Sequence, residues 1–175
     1  VKQLRDKYKD VSFCADKDLS YLGMHVRVEA GKAVLSMRSY VETMLKELSV
    51  TGVAASPATG KLFECDDTPL LKADRMKKFH TVVAKLLYLA KRARPDILLT
   101  VAYLCTRVTC STELDEAKLM RVLKYLNGTV GQDLILRAED LKLVAYVDAA
   151  FGCHSDGKSH TGLVIMLGGA NVQSK

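Results

Sequence analysis

The sequence predicts an α+β fold in which a β-hairpin is followed by helices and then by a β-meander. Three observations carry that reading. Apolar and polar residues alternate with period two from Tyr21, a longer segment near Asp74 to Arg94 keeps its apolar residues on one helical face, and short apolar runs separated by glycines return after Gly131. At 175 residues the chain suits one domain or two small ones, and a hydrophobic share of 49% argues against wholesale disorder.

Tyr21 to Met37 reads as the hairpin. Leu22, Met24, Val26 and Val28 alternate with Tyr21, Gly23, His25 and Arg27; the turn is Glu29-Ala30-Gly31-Lys32, and Val34 to Met37 return. Ser39-Tyr40-Val41-Glu42 has the form of a capping box and predicts a short helix, with Val41, Met44, Leu45 and Leu48 as its apolar stripe and Gly52 as its terminator. Residues 53–70 hold two of the three prolines and read as an extended connector. The strongest helix follows, with Met76, Phe79, Val83, Leu86, Leu87 and Ala90 on one face. Pro95 and Asp96 suit the first turn of the next helix, whose buried side would be Ile97, Val101, Leu104, Cys105 and Val108. Thr112-Glu113-Leu114-Asp115 opens a further helix in capping form, and Asn127-Gly128 closes it. Leu134 to Leu136, Leu143 to Val147, Thr161 to Leu167 and Ala170 to Ser174 read as strands, with Gly168-Gly169 a tight turn. The expected divisions are 1–52, 53–70, 71–130 and 131–175, the last boundary falling between Thr129 and Leu141.

Charge is unevenly placed. The formal charge is +6, yet the chain from Leu143 onward is neutral, so the whole excess lies before it. Between Leu71 and Arg94 eight Lys or Arg stand against one Asp. Lys78, Lys85 and Arg92 recur every seven residues, which on a helix drifts only about 20° per step, and their stripe lies almost opposite the apolar one. Lys118, Arg121 and Lys124 recur along one side of the later helix. Such rows are either solvated surface or contacts to a phosphate backbone. The five cysteines, Cys14, Cys65, Cys105, Cys110 and Cys153, are irregularly spaced and contain no CxxC pair. That predicts reduced thiols and an intracellular setting, cytoplasmic or nuclear. No run reaches the roughly 20 apolar residues of a membrane span. The chain opens at Val1 and stops within what reads as a strand, so a segment of a longer protein is expected.

Asp148 is the residue most suggestive of chemistry, because it follows an apolar strand and precedes a small-residue turn. Two-metal hydrolysis needs several converging carboxylates, and this region offers only Asp148 and Asp156, so on spacing alone a strand-terminating Asp is the simpler account. His154 and His160 flank Asp156 at spacings common by chance. Asp66-Asp67 sits in a polar loop without the apolar hairpin that would hold paired carboxylates. A Gly-rich phosphate loop, a G-x-S-x-G elbow and HExxH are all absent; Trp is absent too, and aromatics are 6%, which gives little for base stacking.

Several stretches, taken in order, resemble one family. Tyr21-Leu22-Gly23-Met24, Leu86-Leu87-Tyr88-Leu89-Ala90 with Arg94-Pro95-Asp96-Ile97, Leu123 to Thr129, Ala145 to Gly152, and Lys158 to Gly162 with Leu167 to Ala170 are similar to segments of Ty1/copia-type retrotransposon Pol proteins. The resemblance implies the C-terminal part of a reverse transcriptase, thumb and connection, running into the first antiparallel strands of a ribonuclease H-like domain. It implies that the Tyr21-Leu22-Gly23 hairpin supports a primer terminus. It further implies that Lys78, Lys85, Arg92, Lys118, Arg121 and Lys124 contact an RNA–DNA hybrid or template-primer duplex. Asp148 becomes the first metal-binding, catalytic Asp of the ribonuclease H site, with Mg2+ as the metal. Ala150, Phe151 and Val172 depart from the family pattern. The other partner implied is the remainder of the Pol polyprotein, and no membrane. With both active sites incomplete, the chain alone is expected to be inactive. The rival readings are a standalone nucleic-acid-binding module and an element for interaction with other Pol subunits.

Overall fold

The computed structural model describes residues 2–8, 16–65, 67–137, 140–154 and 157–175. Cys14, Asp66 and Asp156 therefore lie outside the described residues. The fold is α+β, with two antiparallel sheets and a helical core. Helix α1 (Lys2–Lys7) precedes strands β1 (Asp18–Tyr21), β2 (Met24–Glu29) and β3 (Lys32–Ser36). Helices α2 (Arg38–Glu47), α3 (Ala73–Ala90), α4 (Leu98–Thr106) and α5 (Glu113–Gly128) follow, with a 3-10 turn at Pro95–Ile97 leading into α4. Strands β4 (Leu134–Arg137), β5 (Leu143–Ala150), β6 (His160–Leu167) and β7 (Ala170–Ser174) complete the chain.

The first sheet differs from the expected hairpin in two ways. Tyr21-Leu22-Gly23-Met24 is a turn between β1 and β2, with Leu22 at φ 50° and Gly23 at φ 74°, the pair of positive angles that a two-residue hairpin loop of matching twist requires. Period-two alternation could not reveal this, because the turn residues continue the same apolar/polar phase. The sheet order is β1-β2-β3-β4, so β4, expected to open the C-terminal part, pairs with β3 through Lys32↔Arg137 to Leu35↔Leu134. The helices are thus a long excursion between two neighbouring strands, and the change of sheet falls after Arg137.

Two terminal signals act differently from expectation. Ser39 lies inside α2 and does not cap it; the N-cap is Met37, with no side-chain cap. At the other end Ser49, at φ 51°, takes the left-handed position expected of a glycine. Its N–H donates to the Lys46 carbonyl at 3.1 Å and that of Val50 to the Leu45 carbonyl at 3.0 Å, a Schellman closure that ends the helix three residues before Gly52. Thr112, by contrast, caps α5 as expected. The Asp115 N–H donates to its Oγ1 at 3.3 Å, and Asp115 accepts the Thr112 N–H at 3.0 Å. Asp115 is buried and also accepts from Arg107 Nε at 3.1 Å. Replacing Thr112 by alanine is expected to lower stability by about 1–2 kcal/mol, read as a shifted urea midpoint with an unchanged slope.

The core belongs to the helices. Val41, Met44, Phe79, Val83, Leu86, Leu89, Ile97, Val101, Leu104, Leu119, Val122 and Leu126 form one buried cluster, with Leu62 and Leu71 anchoring the two ends of the connector's second half. At roughly 25 cal/mol per Å² of apolar surface, this cluster supplies the main stabilising term. The second sheet, order β5-β6-β7, adds little to it: among its described residues only Ala170 is buried. Gly168, at φ 54°, turns β6 into β7, and a Cβ there would run into the Asp140 carbonyl, so only glycine serves. Among the described residues Cys65, Cys105, Cys110 and Cys153 form no disulfide. Among the same residues, no helix is long and apolar enough to cross a membrane.

Candidate nucleic-acid interface

The β1–β2 turn is pinned to the outer face of α3. Tyr88 Oη donates to the Leu22 carbonyl at 2.5 Å, and Tyr40 Oη donates to the Lys85 carbonyl at 3.2 Å. The two rings meet at 5.8 Å between centroids. Gly23 lies beside Tyr40, where a Cβ would stand 4.0 Å from the ring. Burial pushes the Tyr40 phenol up, while nearby Lys85 works against it. On the same face the Arg92 guanidinium sits 4.7 Å over the Tyr88 ring. Lys85 Nζ donates to Glu47 at 2.7 Å, and that bond holds its ammonium above the usual range. Tyr21, 65% exposed, projects at the edge of this platform.

Four of the sequence-predicted contact residues, Tyr21, Gly23, Lys85 and Arg92, are thereby gathered around the Tyr40–Tyr88 pair. Lys78 is exposed two turns earlier on α3, beside Arg75, Glu113 and Glu116. Arg92 itself lies past the end of α3.

The basic row of α5 faces elsewhere. Lys118 Nζ donates to the Glu64 carbonyl at 2.5 Å and to Tyr103 Oη at 3.3 Å. Arg121 Nη2 donates to Ser56 Oγ at 3.1 Å, and the Lys124 carbonyl accepts the Ala54 N–H at 3.3 Å. Asn127 Nδ2 adds a bond to the Gly52 carbonyl at 3.0 Å. This side of α5 laces down the connector. Helical periodicity places the three cations on one side but carries no information on what covers that side.

Asp148 is exposed in the interior of β5, opposite Gly162, and does not end the strand. The strand runs on to Ala150 because Ala149 and Ala150 pair with Thr161 and His160. Asp148 lines a cleft of about 610 Å³ between the second sheet and α4, together with Asp96, His160, Phe63, Tyr146 and Leu99. Among the described residues no group of three or more His, Cys, Asp or Glu could hold a metal ion. Two-metal chemistry needs several converging carboxylates, and among the described residues Asp96 is the one other carboxylate lining the cleft beside Asp148.

Residues missed by sequence reasoning tie the helices together. Arg94 is 2% exposed; its Nε and Nη2 donate to Asp96 at 3.0 and 2.8 Å, and Nη1 and Nη2 donate to the Thr129 carbonyl and Oγ1 at 2.9 and 2.7 Å. Tyr125 Oη donates to Asp96 at 2.9 Å. The available signal was an Arg between the apolar Ala93 and Ile97, both of which are buried.

No family model matches the chain, and no solved structure matches it. Curated proteins do. It is 30% identical over 152 residues to an uncharacterized mitochondrial protein of Arabidopsis thaliana, covering 85% of this chain and 62% of that one. It is 29% identical over 165 residues to the putative transposon Ty5-1 protein of Saccharomyces cerevisiae, covering 87% and 51%. It is also 29% identical over 153 residues to the Retrovirus-related Pol polyprotein from transposon RE1 of Arabidopsis thaliana, covering 85% and 10%. The chain is a homologue of Ty/copia-type transposon Pol polyproteins. It spans between about a tenth and three-fifths of the length of these relatives. In this Pol homologue the two stretches Arg94 to Ile97 and Leu123 to Thr129, which carry part of the resemblance, meet in the Arg94–Asp96–Tyr125–Thr129 network. Arg94, Asp96, Tyr125 and Thr129 are joined there by one partly buried ion pair and its hydrogen bonds.

Proposed function

We propose that the chain is the part of a retrotransposon reverse transcriptase that holds the template-primer duplex, with the Tyr21–Met24 turn and the outer face of α3 as the contact surface. The observation that supports this best is the docking of that turn on Tyr88 with Lys85 and Arg92 beside it. A rigid turn flanked by cations that remain solvent-accessible suits backbone contact, which positions a duplex without reading its sequence. In this reading the helices act as thumb and connection, and β5-β6-β7 is the opening meander of a ribonuclease H-like sheet. The chain by itself is expected to show neither polymerisation nor hybrid cleavage.

In this reading the contact set leaves out the α5 row, because the Lys118 and Arg121 side chains bond the connector. Titrating a fluorescent RNA–DNA hybrid at several salt concentrations tests the division. Each phosphate contact adds about 0.7–0.9 to the slope of log affinity against log salt. Replacing Lys78, Lys85 and Arg92 together by glutamine is expected to lower the slope by about 2. The corresponding change of Lys118, Arg121 and Lys124 is expected to lower thermal stability and leave the slope of the folded protein in place. An unchanged slope in the first variant would overturn the assignment.

A further inference from the structure

Beside the β1–β2 turn, the outer face of α3 carries a shallow groove whose hydroxyl protons are all committed. It measures about 470 Å³ and is lined by Tyr40, His80, Thr81, Ala84, Lys85 and Tyr88. Thr81 Oγ1 donates to the Lys77 carbonyl at 3.0 Å, Tyr40 Oη to the Lys85 carbonyl at 3.2 Å, and Tyr88 Oη to the Leu22 carbonyl at 2.5 Å. A hydroxyl has one proton and two lone pairs, so each of the three is left able only to accept. Such a spot suits neither a phosphate oxygen nor a base carbonyl, both of which are acceptors themselves. It calls for a donor.

Cations flank these acceptors along the same stripe of α3. Exposed Lys77 lies one turn before Thr81, Lys85 lies within the groove, and the Arg92 guanidinium covers the Tyr88 ring. A strand in which phosphates alternate with donor-bearing sugars matches that alternation, and the 2′-hydroxyl is the sugar donor that RNA has and DNA lacks. Resting on the duplex-binding reading above, we propose that the groove seats a ribose from the RNA strand of an RNA–DNA hybrid, with Thr81 Oγ1 accepting from its 2′-hydroxyl. The Tyr40 and Tyr88 hydroxyls supply further lone pairs beside it. Helix shape agrees. An A-form duplex has a wide, shallow minor groove displaying its 2′-hydroxyls, across which the face of an 18-residue helix such as α3 can lie. The B-form minor groove, about 6 Å wide, is too narrow for a helix of about 10–12 Å diameter.

Three labelled duplexes of one sequence separate the ribose contact from duplex binding as such: an RNA–DNA hybrid, the same hybrid with a 2′-fluoro strand in place of RNA, and DNA–DNA. The 2′-fluoro strand keeps the A-form and removes the donor. The full chain is expected to bind the RNA–DNA hybrid about three- to tenfold more tightly than the 2′-fluoro hybrid, the worth of one net hydrogen bond. DNA–DNA is expected to bind more weakly than either. Thr81→Val removes the acceptor at nearly constant shape and is expected to bring the first ratio close to one. It should not move the salt slope, which a lost phosphate contact would lower. Thr81→Ser, which keeps the hydroxyl, is expected to restore the ratio. Equal affinity for the RNA and 2′-fluoro hybrids, with a steep salt slope, overturns the ribose assignment and leaves duplex binding standing. So does a preference that survives Thr81→Val, or DNA–DNA binding as tight as that of the hybrid. Absence of salt-dependent binding to all three duplexes overturns both.

Discussion

Replacing Asp96 by alanine is expected to destabilise the chain by about 3–5 kcal/mol in a urea melt, one of the largest single-residue effects available in it. The reason is the state of its partner. Arg94 is buried to 2% exposure, and Asp96 accepts from both Nε and Nη2. A guanidinium cannot shed its proton to escape burial, so loss of the carboxylate leaves a full charge with only the Thr129 carbonyl and hydroxyl to hold it. Tyr125 Oη loses its acceptor in the same change. Replacing Arg94 by methionine is expected to be less damaging, since Asp96 is partly exposed and can recover water. The decisive measurement is the double-mutant cycle. Arg94→Met with Asp96→Ala should lie well below the sum of the two single changes, because no isolated charge remains. Additive effects, or a loss under about 1 kcal/mol for Asp96→Ala, would show that the pair is not what joins the two segments.

That pair also shows where sequence reasoning stops. Helix faces were legible because burial imposes their period: Phe79, Val83, Leu86 and Ala90 of α3, and Ile97, Val101 and Leu104 around α4, are all in the core. Cap chemistry was legible at Thr112, where the side chain bonds the backbone three residues on, and misleading at Ser39, where the same letters occur within a helix already begun. What local pattern cannot carry is the partner across space. Lys118 and Arg121 look like Lys85 and Arg92 in a helical projection, yet connector residues Glu64 and Ser56 occupy the first two. The pairing of β4 with β3 was equally hidden, since the apolar run of three residues from Leu134 to Leu136 fits either sheet. Tyr88 was visible only as part of an apolar motif, and its hydroxyl proves to be what fixes the turn at Leu22.

Tyr103 offers the second large effect, and it separates packing from ionisation. Its ring is 2% exposed and packs edge-on to Phe63 of the connector at 5.5 Å and stacked with His154 at 5.9 Å. His154 and His160 in turn pack on Phe63 at 4.8 and 5.4 Å, so this cluster joins α4 and the connector to the second sheet. Tyr103→Ala is expected to cost about 3–5 kcal/mol through the cavity it leaves. Amide exchange along β6 should then accelerate more than exchange in α3, because β6 has few buried contacts of its own. Tyr103→Phe keeps the ring and removes the hydroxyl that accepts from Lys118 and meets Cys65 at 3.5 Å. Burial, and after it the Cys65 contact, pushes the Tyr103 phenol well above its ordinary value. The folded chain therefore keeps a proton that the unfolded chain releases above about pH 10, so this contribution is whole below that pH and is lost as pH rises toward the folded value. Tyr103→Phe should accordingly be less stable than the parent chain at neutral pH and lose less stability between about pH 9 and 11. Tyr40 and Tyr125, also raised by burial, leave a residual alkaline loss in that variant. Parallel pH curves for the parent and the phenylalanine variant would place the alkaline sensitivity on those two tyrosines instead.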